Sequence, residues 1–170
     1  IWIGTEQGLS QFHPTTGEIR RYNISKQKQG NIHHHSISEI YEDSNKRLWL
    51  GTEQGLVMRN SHSDYFHYYQ QTPNLHSLRQ DNIKAIYQDF SGTMWFGTMG
   101  GGINYFPHHS TQFNHQTHEV NNDKSLSNNI VFAFLEDKDN ALWIGTFGGG
   151  LNMKVPNTHN FQHFRYDSNK

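Results

Sequence analysis

Apolar residues along this chain gather in short runs separated by polar turn formers. Ile37-Ser38-Glu39-Ile40-Tyr41, Ile83-Lys84-Ala85-Ile86-Tyr87 and Val131-Phe132-Ala133-Phe134-Leu135 are rich in β-branched and aromatic residues, and each predicts a strand. A second run follows each of them: Leu48-Trp49-Leu50-Gly51-Thr52, Met94-Trp95-Phe96-Gly97-Thr98 and Leu142-Trp143-Ile144-Gly145-Thr146. The chain opens on a fourth copy, Ile1-Trp2-Ile3-Gly4-Thr5. A Gly-containing turn comes next, then a third run such as Gly102-Ile103-Asn104-Tyr105-Phe106 or Leu151-Asn152-Met153-Lys154-Val155. Each unit closes on an apolar or aromatic pair: Ile19 with Tyr22, Phe66 with Tyr69, Phe161 with Phe164. The third unit keeps Phe113 but has Gln116 in the second place, so its last strand is the weakest expected. Helices are excluded, because Gly and Asn interrupt every candidate and no stripe of period 3.6 survives.

The tryptophans fix the period. All four lie in the second kind of run, spaced by 47, 46 and 48 residues. Asp43, Asp89 and Asp137 each stand six residues before their Trp. Four strands with tight turns in every 40–50 residues or so predict an all-β chain built of β-propeller blades. Labelled A to D from the axis outward, the strands give B–D of one blade over 1–23. Complete blades follow over 31–70, 77–116 and 125–166. The fold class is thus a β-propeller fragment, three four-stranded blades behind a partial one. Because the chain opens in mid-pattern, it is expected to be part of a longer protein. Its ring is expected to close through neighbouring blades or self-association.

Composition narrows the function. Lys and Arg total 14 against 15 Asp and Glu, a net charge of −1, so no basic footprint for nucleic acid exists. The absence of cysteine excludes disulfide staples, thiolate zinc sites, iron–sulfur clusters and a Cys nucleophile. A mean hydropathy of −0.86 leans toward disorder, but 14% aromatic residues argue for a folded chain. No apolar run approaches the roughly 18 residues of a membrane helix, so any membrane attachment would come from segments outside this sequence. The glycine triplets are not followed by Gly-Lys-Ser/Thr, and no nucleophile elbow, His-Glu-x-x-His helix or calcium loop occurs. No catalytic residue, metal or cofactor is therefore expected. The thirteen histidines scatter over several loops. In a triplet such as His33-His34-His35, successive side chains of an extended segment point to opposite faces, a poor arrangement for one ion.

At these residues the chain resembles the two-component-regulator propeller repeat. That unit reads Ser-Leu-Ser-x-Asn, an apolar strand, Glu-Asp, a short turn, Leu-Trp-Ile-Gly-Thr, Gly-Gly-Gly-Leu-Asn and Phe-x-x-Tyr. The fourth repeat matches almost throughout: Ser125 to Asn129, Glu136-Asp137, Leu142 to Thr146, Gly148 to Asn152 and Phe161. The second departs most, with Asn31-Ile32-His33-His34-His35 and Glu53-Gln54 in place of the expected residues. The resemblance implies a non-catalytic, periplasmic ligand sensor of a membrane-anchored bacterial signalling protein. Its output would be a histidine kinase or a GGDEF diguanylate cyclase. Propellers also host carbohydrate-binding proteins, lyases and glycosidases, the rival reading.

Alternating strand direction places the B–C turns and the D–A connections on one face. That face is expected to gather His33, His34 and His35, Glu53 and Gln54, Arg79, Gln80 and Asp81, Ser127, Asn128 and Asn129, and Phe147. Amides, charges and an aromatic ring on loops held by a rigid scaffold suit a small polar ligand such as a glycan.

Overall fold

The computed structural model describes residues 1–22, 36–61, 63, 65–108, 110 and 112–166. Among these, fifteen strands follow one another without a helix: β1 (Trp2–Thr5), β2 (Gly8–Phe12), β3 (Ile19–Tyr22), β4 (Ile37–Glu42), β5 (Leu48–Thr52), β6 (Gly55–Arg59), β7 (Phe66–Tyr69) and β8 (Ile83–Gln88), then β9 (Met94–Thr98), β10 (Ile103–Phe106), β11 (Asn114–Gln116), β12 (Val131–Glu136), β13 (Leu142–Thr146), β14 (Gly150–Lys154) and β15 (Phe161–Phe164). They form a three-stranded sheet, β1-β2-β3, and three four-stranded sheets, β4-β5-β6-β7, β8-β9-β10-β11 and β12-β13-β14-β15. Every ladder between these strands is antiparallel, so each sheet is a meander with its strands in chain order. The fold is an arc of a β-propeller, one partial blade and three complete ones. β11, where Gln116 replaces the aromatic, is the shortest strand.

The recurring aspartate does more than turn the chain. Asp43 Oδ1 accepts the Asn45 and Arg47 N–H groups at 2.9 Å, and Oδ2 accepts Trp49 Nε1 at 2.8 Å and Arg47 Nε at 2.6 Å. Asp89 and Asp137 accept Trp95 and Trp143 Nε1 at 2.7 and 2.8 Å. Each carboxylate thus pins the A–B turn to the indole of the next strand, satisfying a donor that burial would otherwise strand.

Blades pack face to face, and each junction holds its own core. Leu9, Leu48, Leu50, Val57 and Phe66 fill the first; Trp49, Leu56, Ile83, Ile86, Met94 and Phe96 lead the second; Trp95, Ile103, Val131, Ile144 and Phe161 lead the third. The glycine of each Trp block makes room for the neighbour. A Cβ on Gly4 would stand 2.7 Å from Ile37 Cγ2, on Gly51 3.1 Å from Ile83 Cγ2, and on Gly97 2.7 Å from Val131 Cγ1. Trp49 and Trp95 are buried. Trp143, at the equivalent position of the fourth blade, is half-buried, because no sheet among the described residues covers that side of the blade.

Each inner strand carries one extra residue. The A–B register slips between Ile37 and Glu39, between Ile83 and Ala85, and between Val131 and Ala133. The bulged residues are Ser38, Lys84 and Phe132.

Candidate functional site

The B–C turns meet the D–A connections through the main chain. Gly55 N–H donates to Asp81 O at 2.8 Å, Met99 N–H to Asn82 O at 2.9 Å, Gly100 N–H to Asn129 O at 3.1 Å and Phe147 N–H to Ile130 O at 3.0 Å. Turn and connection of successive blades therefore form one continuous face.

The residues expected there divide into two groups. Gln80 Oε1 accepts the Asn82 N–H, and an Asp81 carboxylate oxygen accepts the Gln71 N–H. Asn128 Oδ1 accepts the Ile130 N–H at 2.8 Å, and Asn129 Oδ1 the His118 N–H at 2.6 Å. Ser127 is buried, with its hydroxyl 2.8 Å from that of Thr146. These five side chains hold the connections in shape. Glu53, Gln54 and Arg79 are exposed. Phe147 is 63% exposed and lies edge-on to Phe132, ring centroids 6.1 Å apart. His33, His34 and His35 lie outside the described residues.

Two further sets of residues shape the face and escaped the sequence reading. Asn104 and Asn152 are fully buried, and their Oδ1 atoms accept the N–H of Arg79 at 2.9 Å and of Ser127 at 2.8 Å. They clamp the connections into the third and fourth blades onto the C strands of those blades. Their signal was the Asn recurring after Ile103 and Leu151. His115 extends one clamp, with Nδ1 3.0 Å from Asn104 Oδ1 and Nε2 3.0 Å from Leu75 O. Burial pushes its pKa below the ordinary histidine value.

The second set is the row of bulges. Ser38 Oγ donates to Ile83 O of the next inner strand at 2.6 Å, so the bulged positions follow one another along the inner edge. Structural positions repeat from blade to blade, but this row reads Ser38, Lys84, Phe132. Beside it stands Glu39, half-buried, its pKa raised by desolvation. Bulges often re-aim side chains beside binding sites. In the sequence these positions differ in chemistry from repeat to repeat.

Farther out, an open polar cleft of about 590 Å³ lies between the third connection and β15, lined by His118, Glu119, Asp123, His163 and Arg165 among others. Among the described residues no three His, Cys, Asp or Glu side chains converge as metal ligands. The aspartates that recur in register are occupied by their tryptophans.

No curated protein sequence matches the chain. Among solved structures it superposes on the extracellular domain of BT4673 from B. thetaiotaomicron, named for a hybrid two component system. The TM-score is 0.74 and the identity 22%, over 89% of this chain and 19% of that one. The extracellular domain of BT3049 from the same organism, also named for a hybrid two component system, gives 0.52 and 23%, over 100% and 27%. Virginiamycin B lyase from Staphylococcus aureus gives 0.58 and 15%, over 91% and 50%. The chain thus spans about a fifth to a quarter of the two extracellular domains and half of the lyase. These likenesses establish the propeller fold. Residues 31–54, 77–100 and 125–148 match the two component regulator propeller family model. Three stretches of the chain thus match the two component regulator propeller repeat, and its fold is an arc of a β-propeller.

Proposed function

We propose that this chain is a non-catalytic, ligand-sensing segment of the periplasmic part of a membrane-anchored bacterial signalling protein, with a kinase or cyclase output carried by other sequence. The family of its repeats and its likeness in fold to extracellular domains of two component systems support this reading. One observation carries it furthest. Phe132, Phe147, Arg79, Glu53 and Gln54 stand exposed on one face and its inner edge, on a scaffold whose recurring aspartates are already held by their tryptophans.

That face offers Phe132 and Phe147 for stacking, Lys84 and Arg79 as donors, and Glu39, Glu53 and Gln54 as acceptors. The mixture suits a small polar ligand with one apolar face, a glycan foremost. Titration of the chain with a panel of neutral and acidic oligosaccharides, followed by NMR, tests it. Saturable shifts at Phe147 and Arg79, weakened in Phe147→Ala and with the sugar recovered intact, are expected. Absence of binding across the panel contradicts the ligand class. Consumption of the sugar would instead favour a propeller enzyme.

A further inference from the structure

Histidine rings tie the D–A connections of the third and fourth blades to main-chain oxygens. Over the fourth blade, His118 Nδ1 lies 2.8 Å from Leu126 O, and His163 Nε2 lies 2.7 Å from Ser125 O. Each of these rings meets one acceptor, which a neutral imidazole satisfies with its single N–H. The third blade is different. His115 stands two residues after Phe113, as His163 does after Phe161, but an oxygen faces each of its nitrogens. Asn104 Oδ1 lies 3.0 Å from Nδ1, and Leu75 O lies 3.0 Å from Nε2.

Turning the Asn104 amide does not resolve the conflict. Its Oδ1 also accepts the Arg79 N–H at 2.9 Å, and a turned amide would set its own N–H groups against that donor. The fourth blade holds the equivalent amide in the same orientation: Asn152 Oδ1 accepts the Ser127 N–H at 2.8 Å, while Nδ2 donates to Ile144 O at 3.3 Å. A neutral His115 ring carries one N–H, so one of its lone pairs faces an oxygen. Only the imidazolium, with two N–H groups, satisfies both oxygens.

We infer that His115 is an acid-closed clip on the connection between β7 and β8: its imidazolium ties Leu75 to Asn104, and its neutral ring releases one of the two. Asn104 also holds the main chain of Arg79, and Leu75 is 83% exposed. Closing the clip therefore fastens the outer part of the connection to the residue that already grips its inner part. Arg79 belongs to the exposed face, so pH acts on the setting of that face whatever it binds. The groups around the ring set where the clip works. Burial holds its pKa below the ordinary 6.5; the hydrogen bond to Leu75 opposes this, and the charges of Arg79 and His76 add to it. β10 brings the uncharged Asn104, and the neighbours on β11 are the uncharged Asn114 and Gln116. The clip thus closes at a pH below the ordinary histidine value. The unfolded chain takes up this proton first, so the stability that His115 contributes is lost as pH falls through the native value. Closure is a change within the native state, and it is read locally.

The test titrates the intact ¹⁵N-labelled chain from about pH 8 to about pH 4.5, a range that spans histidine ionisation. Long-range ¹H–¹⁵N spectra count the protons on the His115 ring. Hydrogen exchange reads the connection at the His76, Ser77 and Arg79 amides, each of which is hydrogen-bonded. Rates are corrected for the intrinsic effect of pH and divided by those of β9, which removes any change in overall stability. The expected result is one ring proton at neutral pH and a second gained in a step below the ordinary histidine value. At the same midpoint, protection of the three amides should rise several-fold. His115→Gln should remove that rise, and the Ser127 amide, in the connection that His163 holds, should show none. A His115 ring that keeps one proton throughout, or one that gains the second while protection stays level or falls, overturns the proposal. So does a rise that survives His115→Gln, which would assign it to His76.

Discussion

The third and fourth blades have nearly the same sequence plan but different surroundings. Among the described residues, β8–β11 is packed on both faces and β12–β15 on one. Ala85 and Ile103 are buried, whereas Ala133 and Leu151 at the same positions are exposed. The fourth repeat is also the one that follows the family pattern most completely. Burial here is thus a property of the junction, not of the strand. A propeller blade has two apolar faces and cannot enclose either by itself, so each neighbour supplies half of every core.

The largest effect expected from this contrast is at the tryptophans. Trp95→Ala should cost about 3–5 kcal/mol in urea unfolding, the usual range for a buried large aromatic. Trp143→Ala should cost about 1–2 kcal/mol, since one side of its ring already faces water. Equal losses would mean that the fourth blade is enclosed.

The carboxylates come next. Asp43 is buried and holds Arg47, Trp49 and two backbone N–H groups, so Asp43→Ala leaves several donors without an acceptor and should cost about 3 kcal/mol. Asp137→Ala, in its more open setting, should cost less in the same measurement.

The glycines separate the two blades most sharply relative to their size. Gly97→Ala brings a methyl against Val131 Cγ1 and should destabilise by about 1–3 kcal/mol through overpacking. Gly145→Ala should stay within about 0.5 kcal/mol. A costly Gly145→Ala would show that something already occupies its seat.

The smallest effects are in pH, and their signs differ. The Trp143 indole N–H, then the Ala141 and Asp139 N–H groups, hold the Asp137 pKa below its ordinary 3.8. The native state therefore gives up this proton more readily than the unfolded chain, and stability is lost as pH falls below about 4 through the native value. Glu39 is raised above 4.5 by burial, so its contribution is present in acid and lost as pH rises through the native value. Glu39→Gln should accordingly gain stability at neutral pH, and Asp137→Asn should flatten the acid limb of the stability curve.

Much of this architecture was legible in the residues. The Trp spacing gave period and strand number, because a blade repeats every contact it makes. The face was legible too, since strand alternation alone sends the B–C turns and D–A connections to the same side. What each polar side chain does there was not. Gln80, Asp81, Asn128 and Asn129 look like ligand groups in sequence but cap neighbouring N–H groups, a use set by loop geometry that composition does not reveal. Asn104 and Asn152 were overlooked for the opposite reason, an asparagine inside a strand looking like a solvent-facing residue. Lys84 and Phe132 stayed hidden because a bulge, which nothing in the local pattern announces, governs where they stand.

Enclosure by the next blade is what separates the aspartate-held Trp49 and Trp95 from Trp143. Exchange of the four indole N–H protons with D₂O, followed in ¹H–¹⁵N spectra of the intact chain, tests it directly. Trp49 and Trp95 should exchange slowest. Trp143, held by Asp137 but uncovered among the described residues, should exchange markedly faster. Protection of Trp143 equal to that of Trp95 would contradict the claim, as would rapid exchange at Trp49.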